Sequence, residues 1–452
     1  MKNLYTDTIV APATIPGTGA ISIVRISGPE SFRITDAVVR LASGTVSEAA
    51  GYTLHYGEVP GLDQVMVSVF RSPHSYTGED SVEISTHASA YIVEELVRLL
   101  LEAGARFAQP GEFTRRAFLN GKMDLAQAEA VADVIASTTA ASHRVAMNQL
   151  KGGFSRELIT LREQLLEMAS LLELELDFSE EDVEFADRGQ LLKLLEEGKA
   201  HMDTLAASFR QGNMIKNGVP VAIVGPANAG KSTLLNALVG EERAIVTDIP
   251  GTTRDTLEET LNLGGILFRF IDTAGIRESE DTVEKMGIER SFRAISQAEI
   301  VLVMQDATKK EAFNLADERL KDKKVFLIYN KADLLENNDY NKNVNSDNVF
   351  VISAKYGQGI EALKEGLLAA EKDLIPNEHS TFVTNLRHFE ALRNASSALA
   401  DCIGALSRGI PSDLVAEDLR RALASVNAIL GTDLLDPEAI LQNIFAKHCI
   451  GK

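Results

Sequence analysis

Gly225, Gly230, Lys231 and Ser232 fill every fixed position of G-x-x-x-x-G-K-[ST], the pattern of a loop that cradles nucleotide phosphates. Glycines at those places let the backbone curl so that successive N–H groups face one anion. A following helix adds the positive end of its dipole. Within Asn228-Ala229-Gly230-Lys231-Ser232-Thr233, Lys231 is expected to reach the β- and γ-phosphates and the Ser232 hydroxyl to ligate Mg2+. A chance match in a loop is the competing explanation. Against it stand the apolar run Val-Pro-Val-Ala-Ile-Val just before the motif and Leu234, Leu235, Ala237 and Leu238 just after it, which together predict strand, loop and helix.

Three further motifs follow in order. Asp272-Thr273-Ala274-Gly275 closes a strand ending Phe268–Ile271, so Asp272 can hold Mg2+ through water while the Gly275 N–H meets the γ-phosphate. Asn330-Lys331-Ala332-Asp333 closes the run Val325–Tyr329, and Asp333 is suited to accept two N–H bonds from a guanine edge. Ser353-Ala354-Lys355 closes Val349–Ile352 and is expected to contact the same base through backbone. Four such motifs, each at the carboxyl end of a strand, define a GTPase domain. Between the first two lies Thr247-Asp248-Ile249-Pro250-Gly251-Thr252-Thr253. Its glycine turn and threonine pair have the character of a mobile switch whose hydroxyl joins the Mg2+ shell; a plain connection between strands is the alternative.

Where Ras-like proteins carry a water-positioning glutamine, this chain has Ile276, which cannot orient water. Some other group must do so, and no arginine finger is evident.

The elements that must position these residues can be read along the chain. Of 452 residues 45% are hydrophobic, a size that predicts two to four domains. A net charge of −20 argues against nonspecific coating of nucleic acid and leaves room for a local basic patch. Cys402 and Cys449 make no disulfide framework or metal cluster, which suits a reducing compartment. Asp7, Pro12 and Pro16 break the first seventeen residues, so no signal peptide is expected, and no apolar run approaches a membrane span. A cytoplasmic protein without membrane association is expected.

Residues 1–120 predict an N-terminal α+β domain, with strands at Ile21–Ile26, Gln64–Phe70 and Ser81–Ser85, a helix over Ile92–Leu101 and a turn at Pro110-Gly111. Residues 121–217 are helical in pattern, with a seam of Leu158, Leu161, Leu165, Met168, Leu172 and Glu175. The run Ser179-Glu180-Glu181-Asp182 is read as a solvated turn in preference to a metal site. The GTPase domain spans 218–374. Helical patterning returns over 375–452, broken at Gly409-Ile410-Pro411 and Gly431, with a helix start at Asp436-Pro437. The fold class is therefore multidomain, α+β and α/β. A Ras-like doubly wound GTPase is inserted into a discontinuous all-α domain, which is feasible because such a domain's termini lie near each other.

This order of parts, with the chain ending Cys449-Ile450-Gly451-Lys452, resembles the MnmE (TrmE) family of tRNA-modification GTPases from end to end. The most specific stretches are Asn228 in the phosphate loop, Thr247–Asp255, Asp272–Arg277, Phe113–Ala128 and the terminal tetrapeptide.

The resemblance implies several things that no spacing argument gives. It makes Thr253 the Mg2+ threonine. It implies K+ held by the Asn228 side chain and main-chain oxygens of Thr247, Ile249 and Thr252, a cation that would do electrostatically what an arginine finger does. It gives Glu284 the hydrolytic role, whereas the residues alone favour a solvated glutamate on a switch helix. It assigns Arg25, Glu83, Lys122 and Lys452 to a tetrahydrofolate one-carbon carrier; on the residues alone the first two are edge-strand charges and Lys122 a surface lysine. It brings the tail with Cys449 to the modification site, as nucleophile or packing residue, where a frayed tail is the alternative and a prenylation signal fits poorly. It also implies a homodimer, a flavin-containing partner of the MnmG family, and tRNA as substrate. The rival reading is a regulatory switch of the Era or Der kind. Residues 1–120 and the terminal tetrapeptide speak against it, because a pure switch needs neither.

Overall fold

Burial patterns separate two kinds of sheet. Along Asp63–Phe70, Val65, Val67 and Val69 are buried while Gln64, Met66 and Ser68 are not, as in a sheet covered on one face. Along Val219–Val224 and Ile300–Asp306 every residue is buried, as in parallel strands covered on both faces. The structure, a computed structural model, describes residues 6–177, 188–240, 259–271, 292–309, 318–335, 348–374, 381–408, 410, 412–432 and 451. It has two sheets among them. The chain divides into two compact units: Met1–Ile135, Gln149–Ile159 and Asn427–Lys452 form one, Ala136–Asn148 and Thr160–Val426 the other.

Among the described residues the first unit holds seven strands: β1 (Ile9–Pro12), β2 (Gly19–Ser27), β3 (Arg40–Leu41), β4 (Thr53–Val59), β5 (Asp63–Phe70), β6 (Ser81–Ala88) and β7 (Arg106–Phe107). Their order is β3-β4-β5-β6-β2-β1-β7, antiparallel except for the β1–β7 pair. Helices α1 (Ser31–Val38) and α2 (Ala90–Glu102) cover the apolar face, where Phe32, Ile34, Leu96, Val97 and Leu100 join Val24, Ile26, Val67 and Ile84. The expected α+β architecture holds. Strand β4 escaped sequence reading because Leu54 and Tyr56 are apolar yet 61% and 51% exposed, so its alternation is masked.

A charged cluster sits inside this unit beside α3 (Glu112–Leu119). The Arg116 side chain is fully buried and donates to Glu79, Glu112, the Asp7 carboxylate and the Asp7 carbonyl. Burial pushes the Glu79 carboxyl up. Burial also raises Glu112, but hydrogen bonds from Arg106 and the Gln109 N–H, with the charge of Arg116, outweigh it and hold Glu112 low.

The region expected to be helical contains α4 (Leu125–Ala136), α5 (Ala140–Leu150), α6 (Gly153–Asp177), α7 (Arg188–Ala207) and α8 (Phe209–Asn217). The α6 seam of Leu158, Leu161, Leu165, Met168 and Leu172 is buried as its spacing requires. The Glu175 side chain, Ser179–Asp182, Gly409, Pro411 and Asp436-Pro437 lie outside the described residues.

The second sheet comprises β8 (Val219–Val224), β9 (Glu259–Leu263), β10 (Ile266–Phe270), β11 (Ile300–Asp306), β12 (Lys324–Asn330) and β13 (Val349–Val351). The order β13-β12-β11-β8-β10-β9 is parallel apart from the β9–β10 hairpin. Helices α9 (Lys231–Val239) and α10 (Ile360–Leu374) pack Leu234, Leu238, Leu363 and Leu367 on one face. On the other, Ile295 and Ala298 meet Ala222, Val224 and Val303. This is the doubly wound arrangement expected.

Among the described residues two helices follow, α11 (Leu386–Ser407) and α12 (Ser412–Leu430). α11 packs along α7, where Ser396 Oγ donates to Asp203 and Leu399 packs near Gly198. The segment before α11 is tied to α8: Val383 N–H donates to Ser208 Oγ at 3.0 Å. A Cβ on Gly212 would stand 2.2 Å from the Val383 oxygen. Buried Cys402 has its thiol pushed up to about 12 by burial and the nearby Asp418 and Asp401 charges, which makes it a packing residue without thiolate chemistry.

Candidate nucleotide site

The phosphate loop leaves β8 at Gly225 and turns into α9 at Lys231. Two contacts explain its glycines. A Cβ on Gly225, at φ +151°, would lie 2.3 Å from the Met304 carbonyl oxygen, and one on Gly230, at φ +96°, would lie 2.2 Å from the Asn330 amide nitrogen. Asn228 also takes a left-handed backbone, φ 62°, which asparagine tolerates better than most residues. The loop thus has no room for side chains where it meets β11 and β12.

Lys231 Nζ donates to the carbonyls of Gly225 and Pro226, both at 2.9 Å, so its ammonium lies over the loop. Burial lowers its pKa. Ser232, Thr233 and Asn228 are exposed, so the Ser232 hydroxyl and Asn228 amide are available to a ligand at the loop's mouth. The first N–H groups of α9 lack intrahelical partners and carry the positive end of its dipole. Ser232 offers the hard oxygen Mg2+ prefers, exposed beside the N-terminal N–H groups of α9 and the Lys231 ammonium, so this half of the site fits a Mg-nucleotide.

The base side is assembled around Asn330, which is buried. Its Nδ2 donates to the Ala229 carbonyl at 2.8 Å and its Oδ1 accepts the Ala354 N–H at 3.0 Å. Its side chain therefore braces the phosphate loop against the Ser353–Lys355 turn; the amide is engaged within the protein. Lys331 stands at φ 68° and starts a 3-10 turn, Ala332–Leu334, closed onto the sheet by Ala332 N–H to the Ile352 carbonyl at 3.0 Å. The turn leaves Asp333 exposed, and the buried Ser353 hydroxyl donates to its Oδ1. One carboxylate oxygen is thereby fixed on a residue that is otherwise exposed. Lys355 and Tyr356 are exposed beside this turn.

Sequence reasoning passed over Asp306, the last residue of β11. Its Oδ2 lies 2.8 Å from Lys331 Nζ, and its Oδ1 accepts the Thr308 N–H and hydroxyl. Burial pushes its carboxyl up, but hydrogen bonds from Lys331 and Thr308 outweigh it and hold the pKa to about 2. The only available signal was a carboxylate closing an apolar run.

In the first unit Arg25 and Glu83 are register partners across β2 and β6, joined by Arg25 Nη2 to Glu83 Oε1 at 2.7 Å. Arg25 sits over the rings of Tyr76 and Phe113 and donates to the Gly451 carbonyl at 3.2 Å. Gly451, φ +95°, lies so close to β1 that a Cβ would stand 2.1 Å from the Pro12 oxygen. Lys122 instead donates to the Pro73 carbonyl at 2.9 Å and packs on Gly78. The structure therefore joins Arg25, Glu83 and the chain's penultimate residue, with Lys122 across the 73–80 loop. Outside the described residues lie Thr247, Asp248, Ile249, Pro250, Gly251, Thr252, Thr253, Asp272, Thr273, Ala274, Gly275, Ile276, Glu284, Cys449 and Lys452.

A phosphate loop and a base-recognition turn at the carboxyl ends of parallel strands define a P-loop GTPase domain, here within a chain that also carries an α+β unit and long helices. Comparison with known proteins gives the family. The family model described as "GTP-binding protein TrmE N-terminus" matches residues 8–122 and that described as "MnmE helical domain" matches residues 125–449. "tRNA modification GTPase MnmE" of Bacteroides fragilis is 49% identical over 466 residues, covering 99% of each chain. Its namesake of Cytophaga hutchinsonii is 49% identical over 456 residues, covering 99% of this chain and 98% of the other. The chain belongs to the MnmE family of tRNA modification GTPases. Among solved structures, the G domain of the T. maritima FeoB iron transporter aligns with 34% of this chain and 98% of its own at 25% identity, with a TM-score of 0.25.

Proposed function

We propose that this chain hydrolyses GTP to drive a conformational cycle in which C5 of the wobble uridine of certain tRNAs receives a carboxymethylaminomethyl-type group. A flavin-containing partner of the MnmG family and a tetrahydrofolate one-carbon unit take part. The observation that carries this reading is likeness along 99% of both chains to proteins named as tRNA modification GTPases. In the same reading the chain works in the cytoplasm as a homodimer, with domains at 1–120, 121–217, 218–374 and 375–452.

In the nucleotide site the loop backbone and Lys231 hold the phosphates, the ammonium exchanging the Gly225 and Pro226 carbonyls for phosphate oxygens. Ser232, Thr253 and Asp272 would hold Mg2+, which would supply positive charge to the phosphates. Asp333, oriented by Ser353, accepts the guanine N–H groups. Asn228, whose exposed amide stands at the loop's mouth, with main-chain oxygens of Thr247, Ile249 and Thr252, is assigned to K+. Bound there, K+ would supply positive charge beside the β–γ bridge. Glu284 orients the attacking water in place of the glutamine that Ile276 replaces. Arg25, Glu83, Lys122 and Lys452 bind the folate. The Arg25–Glu83 pair beside Gly451 supports this assignment, because it puts the tail against one of those residues. Cys449 belongs to that tail.

The test is steady-state turnover in K+ and in Na+ at equal ionic strength. K+ is expected to raise the rate because the site selects by size, and Asn228→Ala to remove the difference while GTP still binds. Glu284→Ala should lower turnover without weakening nucleotide binding, as for an interaction made in the transition state. Equal rates in both salts would contradict the cation's role.

A further inference from the structure

The end of β11 touches both halves of the nucleotide site. Met304 packs against the phosphate loop: its carbonyl blocks any side chain at Gly225, and its Cε lies 3.9 Å from where a Gly230 Cβ would be. Two residues on, and so on the same face of the strand, Asp306 meets the base turn. Asp306 is the parallel register partner of Asn330, so Lys331 leaves β12 one residue past the pair. Its left-handed backbone is uncommon for a lysine. The ammonium is then bound at 2.8 Å to a strand other than its own. The lysine stem runs from the end of β12 to the end of β11, over the strand ends that separate Asp333 from the phosphate loop.

Asp306 is built to hold that position. Its carboxylate is 8% exposed, and its second oxygen is fixed by the Thr308 N–H at 3.0 Å and hydroxyl at 2.7 Å. The Ala307 N–H donates to the Asn330 carbonyl at 2.8 Å, which locks the two strand ends in register beyond the last ladder pair. A carboxylate needed only to close the Thr308 turn would have no use for a partner 25 residues away.

We propose that Asp306 is a positioning residue for guanine-nucleotide binding: it stretches Lys331 across the strand ends and so fixes the wall of the base site on which Asp333 stands. The proposal rests on the reading of this site as a GTP site. It predicts that the charge at position 306 matters to the nucleotide only through Lys331.

The test is a double-mutant cycle in the full chain, read by titration with N-methylanthraniloyl-GDP. Asp306→Asn keeps an oxygen acceptor for Lys331 and loses only the charge, so part of one charge-assisted hydrogen bond is lost and binding is expected to weaken about five- to tenfold. In a Lys331→Ala background the same change should weaken it by less than about twofold. In steady state the Asp306→Asn loss should fall on KM and not on kcat, which a general loosening of the fold would not produce. If Asp306→Asn fails to fold, Thr308→Ala keeps the charge and removes one of the two bonds that fix its Oδ1, and should give a smaller loss that again vanishes without Lys331. Equal losses in both backgrounds would overturn the role of Asp306 while leaving the nucleotide site intact. Failure of the unaltered chain to bind the probe would instead overturn the GTP reading on which the proposal rests.

Discussion

Asp333→Asn is expected to turn the site away from GTP and toward xanthosine triphosphate. In the reading proposed here the carboxylate accepts two N–H groups of guanine, each a charge-assisted bond. Replacing it with an amide that presents donors to donors should cost about 3–6 kcal/mol, from roughly 1.5–3 for each bond. That corresponds to a roughly 10^2- to 10^4-fold loss in GTP affinity. Xanthine carries an oxygen where guanine has its amino group, so the amide nitrogen regains an acceptor. The change should not disturb the turn, because Ser353 donates to Oδ1, an atom asparagine also has, and position 333 is exposed. Competition of unlabelled GTP, ATP and xanthosine triphosphate against a fluorescent guanine nucleotide measures the effect. Equal affinity of the unaltered chain for ATP and GTP would contradict the assignment.

The second large effect is on stability. Arg116→Ala leaves Glu79 and Glu112 with side chains 4% and 1% exposed and without the guanidinium that joins them. Breaking a buried ion pair by removing one member costs about 3–5 kcal/mol. Arg116→Lys should also be damaging, because one ammonium cannot reproduce a planar fork that reaches Glu79, Glu112 and both oxygens of Asp7 contacted here. Glu79→Gln should recover part of the loss in the alanine variant by removing one stranded charge. Scanning calorimetry of the full chain is expected to show one transition lowered by roughly 10 °C, with the others unmoved. A shift too small to resolve would contradict the account of the cluster.

Acid should act on the same cluster in two directions. Asp7 and Glu112 are held below their ordinary values despite burial, by hydrogen bonds and charge from Arg106 and Arg116. Their contribution is complete above the ordinary carboxylate range and is lost as pH falls through it. Glu79, raised by burial, contributes in the opposite sense, favouring the fold while protonated and losing that as pH rises through its raised pKa.

What was legible in the sequence follows from what each residue must do. The phosphate loop was legible because its glycines have no substitutes: Gly225 and Gly230 meet Met304 and Asn330 at distances no Cβ allows. The buried parallel strands were legible because burial on both faces leaves no polar position in β11 before Gln305. The role of Asn330 was legible only in part. The motif placed it at the base, while its bonds to Ala229 and Ala354 depend on how three loops meet. Arg116, Glu79 and Asp7 were not legible at all, since their partners are 37 and 109 residues apart and a lone buried arginine has no periodic signature. The same holds for the pairing of Asp306 with Lys331, although the base motif had named Lys331 itself. The pairing of Arg25 with Glu83 exists only because β2 and β6 lie side by side in one register.

The most direct test of the central claim is mass spectrometry of tRNA nucleosides from cells lacking this chain, with and without the restored gene. The account predicts wobble uridines that lose their C5 substituent in the deletion and regain it on complementation, and that do not regain it with the Asp333→Asn variant under ordinary nucleotide pools. Wobble uridines unchanged by the deletion would contradict it.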